Sequence, residues 1–147
     1  MPPRLPLSTS SNSSKVGVRL PEDWTLTLIA LFDEAAVRSV VVRERAWWLL
    51  PLPWVAAITG PSRIWLRGRA EDFFADPEFV LHEYCHVINQ WDTRRLSIYR
   101  YLREWWRVGY WRNVYEVEAR AFAARDVGRC RQLLAAARAR DPGTRAV

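Results

Sequence analysis

The chain has 147 residues, half of them apolar and nine of them tryptophan, which leaves room for one modest core and excludes a compositionally disordered polymer. Its net charge of +6 is almost all arginine, since Lys15 is the only lysine, and the interleaved acids make the basicity a weak argument for a nucleic-acid partner. Two cysteines, Cys85 and Cys130, exclude a disulfide framework and a zinc ribbon, and Cys85 reads as a small buried residue.

Residues 1–18 are rich in Pro, Ser and Asn and read as a flexible tail ahead of a domain at 19–140, with a second short tail at 141–147. The tail has no apolar core of the kind that marks a secretory signal. The longest apolar run, residues 46–58, falls short of the ~20 residues of a membrane span and is broken by Pro51 and Pro53. The expectation is a soluble cytoplasmic protein, with export by a route needing no N-terminal signal as the alternative. The arginine usage suggests a GC-rich bacterial genome.

The first helix is expected to open at Pro21, with Glu22 and Asp23 in its first turn, where the dipole favours acids. Residues 37–44 are β-branched and predict a strand. Residues 55–67 predict two short strands about a Gly-Pro turn, and residues 68–77 a loop. Asp76 and Pro77 supply an N-cap and a first helical position for a helix running to about Trp91. A second helix ends at Gly109, and a third is capped by Asn113, with Gly128 as a candidate break. Helix, strands, then helices make an α+β domain in which a small sheet packs on a helical half. In the second helix Arg100, Arg103 and Arg107 recur on one face, with Leu96, Tyr99, Leu102 and Trp106 on another. The favoured reading is a core-facing apolar stripe with solvated arginines, and the tryptophan pairs 47–48 and 105–106 are expected to fill cores or interfaces. A membrane surface or nucleic acid is the other reading, with nucleic acid not the expected partner.

The stretch VLHEYCHVINQ holds both histidines of the chain. His82 and His86 stand at i and i+4, so a helix projects both imidazoles from one face towards one ion. Zinc suits nitrogen ligands, and a catalytic site takes three protein ligands and leaves one position open. Glu83 stands where H-E-x-x-H helices carry the general base that takes a proton from water. With no third histidine, the remaining ligand is expected to be a carboxylate. Glu116 shares its face with Ala119 and Ala123, whose small side chains permit close helix packing, whereas Glu118 shares its face with Arg125. Glu116 is therefore favoured, and Glu118 remains the alternative.

The segments LHEYCHVINQWD and GYWRNVYEVEARAF resemble the gluzincin group of zinc metallopeptidases. More closely, they are similar to small bacterial metallopeptidase-like domains known as a domain of unknown function and as a core domain in contractile injection system clusters. The resemblance spans about residues 37–126 and takes in AITGPSRIWLRG, similar to the strand pair those domains place before the motif helix. It implies a zincin-like fold, zinc held by His82, His86 and Glu116, Glu83 as catalytic base, and a peptide or protein substrate. It also implies an edge strand for peptide addition, here residues 63–67, and an oxyanion-stabilising hydroxyl from Tyr110 or Tyr115. The chain departs from that pattern at Arg120, where gluzincins often carry an aspartate that orients a histidine; Asp92, Glu118 and Asp126 are the substitutes on offer. The expected function is a zinc-dependent peptidase, and the alternative is a catalytically inactive binding or scaffold module with structural zinc.

Overall fold

The computed structural model describes residues 17–49 and 51–140. Among them are six α-helices and a three-stranded sheet, a mixed α+β architecture as the element pattern predicts. The expected tails fall mostly outside the described residues, although Val18 already pairs antiparallel with Val42.

Helix α1 (Glu22–Ile29) buries Trp24 and Leu28. Helix α2 (Glu34–Ser39) replaces the first half of the expected strand. Asp33 accepts a hydrogen bond from the Ala36 N–H, and this cap outweighs the β-branched side chains that follow. Only Val41–Arg43 remains as strand β1. Strands β2 (Ala57–Gly60) and β3 (Arg63–Leu66) form the expected hairpin. The sheet order is β1-β3-β2, with β1 parallel to β3, so the segment expected at the edge is the central strand and β2 lies at the edge. Ile64 and Leu66 turn into the core while Arg63 faces out, which is the alternation of a half-buried strand.

Residues 70–74, expected as loop, form α3 (Ala70–Phe74). Glu44 accepts from the Ala70 N–H at 2.8 Å, satisfying one free donor of the first turn, and Phe73 and Phe74 enter the core. Helix α4 (Pro77–Tyr84) carries the motif and continues through Trp91 in wider, π-helical winding. Helix α5 (Ile98–Val108) stops at Gly109, whose φ of 76° is a left-handed value that glycine adopts without strain. Helix α6 (Val114–Arg140) runs unbroken through Gly128, the candidate break.

One core joins these elements. Leu81, Tyr84 and Val87 of the motif helix meet Trp24 and Leu28 of α1, Ile64 of β3, and Ala123 and Leu134 of α6. Helix α4 packs most extensively on α6, where Ala119 and Ala123 are fully buried and let the backbones approach. Helix α5 departs most from expectation. None of its residues is buried; of the expected stripe only Leu96, just before the helix, enters the core, while Tyr99, Leu102 (50%) and Trp106 (84%) are exposed. Trp47 and Trp105 are likewise exposed rather than filling a core.

Candidate metal centre

The motif helix is firmly started. Asp76 accepts from the backbone N–H of both Glu78 and Phe79, and Pro77 occupies a first-turn position that needs no donor. Val80, Leu81 and Tyr84 anchor one face in the core, and the other face turns His82, Glu83 and His86 towards α6. At Cys85 the winding widens, and Asp92 N–H reaches back five residues to Val87 O. Such π-helical turns concentrate at functional sites. Cys85 and Cys130 are free, buried thiols, each pushed up to about 11 by burial and therefore unreactive.

Three ligand atoms converge. His82 Nε2 lies 3.0 Å from His86 Nε2 and 3.2 Å from Glu116 Oε2, and His86 Nε2 lies 3.5 Å from Glu116 Oε1. His82, His86 and Glu116 each place a ligand atom within 4.8 Å of the others.

Hydrogen bonding fixes the state of one imidazole. The Gln90 side-chain N–H donates to Tyr115 O, a pure acceptor, at 3.0 Å, which orients the amide and leaves its Oε1 facing His86 Nδ1 at 2.7 Å. Nδ1 must then carry the proton, so in the neutral ring the Nε2 lone pair aims at the convergence point. Tyr101 donates to Glu116 Oε1 at 2.8 Å, while the buried Oε2 has no hydrogen-bond partner. The His86 Nε2 lone pair, His82 Nε2 and an orphaned carboxylate oxygen this close call for a proton or a cation between them. The donor set of two imidazoles and one carboxylate fits a divalent transition metal.

Burial opposes ionisation of Glu116, but the adjacent His82 and His86 imidazoles together with Tyr101 outweigh it and favour the carboxylate. For His86, burial disfavours the charged ring, and the combined pull of Glu116, Glu83 and Gln90 outweighs it and raises the pKa. Glu83 is buried beside the cluster; burial raises its carboxyl against the pull of His86 and His82. Burial and then Glu116 raise Tyr101, and the same two causes take Tyr110 up to about 12, so both phenols stay protonated donors.

The other candidates lie elsewhere. Glu118 forms a two-pronged pair with Arg95 at 2.8 and 3.0 Å. The Tyr115 hydroxyl donates to Arg95 O. Asp92 accepts from Ser62 N–H, and Asp126 pairs with Arg125, so neither orients a histidine. Arg120 donates to Trp111 O and lies over the Tyr110 and Trp111 rings. The orienting group is Gln90, which sequence reasoning missed although its i+4 spacing from His86 was a readable signal. Tyr101, also missed, comes from another helix and left no such signal. Comparison with family models, curated proteins and solved structures found no match to this chain.

Proposed function

We propose that the chain is a zincin-like, gluzincin-type zinc peptidase domain in which His82, His86 and Glu116 hold the metal. The observation that carries this reading is the Gln90-fixed His86 tautomer, whose Nε2 lone pair points at Glu116 beside His82 Nε2 and the unpartnered Glu116 Oε2. Bound zinc would polarise a substrate carbonyl and acidify water. Glu83, buried next to the imidazoles, takes the proton of the attacking water and later delivers it to the leaving amine. Tyr101 occupies Glu116 Oε1 and so reserves Oε2 for the cation. Tyr110, kept protonated beside Glu116, is the hydroxyl donor for a developing oxyanion.

An extended substrate would pair with β2. The hairpin register leaves the backbone groups of Ala57 and Thr59 on its outer edge. The hairpin is pinned to the end of the motif helix by Trp91 donating to Thr59 Oγ1 and by Asp92 accepting from Ser62. The exposed apolar face of α5 favours a second reading, a binding module with structural metal.

Elemental analysis of the purified protein should find about one zinc per chain, as the three-ligand set requires. His82→Ala should lose it, and a folded, metal-free wild type would sink the proposal. Glu83→Gln should keep the metal and lose hydrolysis of a peptide library, whereas a binding module would cleave nothing in either form.

A further inference from the structure

Residues 93–115 hold six arginines against the single acid Glu104, so five of the chain's six net positive charges lie in this one segment. Glu104 folds back onto Arg107, while Arg94, Arg100, Arg103 and Arg112 have no salt-bridge partner among the described residues. The acids interleaved with arginine elsewhere are missing here.

The same segment carries an exposed apolar face. Ile98, Leu102 and Trp106 follow one another at i, i+4 and i+8, flanked by Tyr99 and Trp105, and all five are exposed. Trp111, in the turn after α5, is 75% exposed. Tyr101 and Val108 sit on the more sheltered side, and Tyr101 reaches Glu116, so the helix rests on the body by its other flank. The outward surface lies apart from the cavities beside β1 and β3 and beside α1 and α3.

We propose that α5 and the Gly109–Trp111 turn lie flat on an anionic lipid bilayer. Arginines flanking tryptophan, tyrosine and leucine on a helix of low mean hydropathy are the makeup of an interfacial helix. Tryptophan and tyrosine suit the headgroup region because one end of each ring system is apolar and the other is wet. A surface of tryptophans with unpaired arginines matches the negative charge of phospholipid headgroups over an apolar interior. No helix among the described residues is long and apolar enough to cross a membrane, so the contact is peripheral. Since α5 also supplies Tyr101, adsorption sets the His82/His86/Glu116 cluster close to the lipid surface.

Sedimentation of the full chain with sucrose-loaded vesicles tests this. The chain should pellet with vesicles of phosphatidylcholine and phosphatidylglycerol at about two to one, and far less with phosphatidylcholine alone. Trp106→Ser combined with Leu102→Ser should lower partitioning about tenfold or more. Arg103→Gln should lower it about fivefold, and added salt should weaken the wild type. Chelated and metal-loaded protein should partition alike. These variants remove no buried side chain, and quenching of wild-type tryptophan fluorescence by brominated lipid needs no variant at all. Three results would overturn the proposal: no vesicle binding, equal binding to both lipids, or binding unchanged by the double variant. A dimer in sedimentation velocity that the double variant disperses would assign the surface to a second copy instead. Duplex DNA binding lost in Arg103→Gln, without vesicle binding, would assign it to nucleic acid.

Discussion

Helices α4 and α5 draw on similar materials, with aliphatic, aromatic and charged side chains at helical spacing. In α4, Val80, Leu81 and Tyr84 are wholly buried, and the polar side chains that follow are held by named partners. In α5 no residue is buried, and Leu102 and Trp106 face outward. The difference lies in what packs against each helix. Helix α6 offers Ala119 and Ala123 to α4, and the small side chains let two backbones close over a shared core. Helix α5 meets the body through Tyr101 and through Asn113, whose amide donates to Tyr101 O. Amphipathic spacing says that a helix has an apolar face; it does not say what covers that face.

The contrast is sharpest for two leucines. Leu81→Ala should cost roughly 2–5 kcal/mol in urea denaturation, because the residue is fully buried and its removal opens a cavity. Leu102→Ala should change stability by less than about 0.5 kcal/mol, since half of that residue is already in water. Equal losses at the two positions would mean that α5 is packed into the fold and that the contrast between the helices is false.

Much of the site was legible because it is local. His82, Glu83 and His86 share one helix, where spacing determines the face, and Glu116 was distinguished from Glu118 by the alanines that follow it. The hairpin and the caps at Asp76 and Gly109 were legible for the same reason. What escaped was set at a distance or by competition between local signals. The central place of β3 depends on β1 pairing with a strand about twenty residues further on, which no local period encodes. The cap at Asp33 and the carboxylate of Glu44 turned a predicted strand and a predicted loop into helices. Tyr101 reaches Glu116 across a turn.

The next test concerns Gln90, fully buried in the motif helix. Gln90→Leu keeps roughly the volume but frees the His86 ring, so metal affinity should fall about 10–100-fold while the chain stays folded. Nitrogen spectra of the imidazoles should show the Nδ1–H tautomer for His86 in the wild type and a mixture in the variant. Unchanged affinity would mean that the ring is held by packing alone.

Acidity separates the metal-free from the metal-loaded protein. Folding raises the His86 pKa, so this group's stabilisation is fully present below its unfolded value of about 6.5 and is lost as pH rises through the folded value. Glu83, also raised, acts in the same direction above its ordinary carboxylate value. The metal-free protein should therefore melt lower as pH rises past neutrality. A cation needs the same Nε2 lone pairs unprotonated, so its affinity and the stability it adds increase with pH. Melting temperatures with and without metal should diverge as pH rises, and parallel curves would remove the cation from the cluster.

The smallest effect is expected at Glu118, and it is informative because it is small. Its carboxylate is satisfied by Arg95, with both side chains partly open to solvent, so the pair is worth no more than about 1 kcal/mol. Glu118→Gln should leave metal affinity within about twofold of wild type, since the residue contributes no ligand atom to the cluster. Glu116→Gln keeps the shape of the side chain but removes the anionic charge at Oε2, and it should lose most of the affinity. If the two substitutions weakened the metal equally, the helix would have to rotate to present both carboxylates. The buried positions of Ala119 and Ala123 against α4 oppose that rotation.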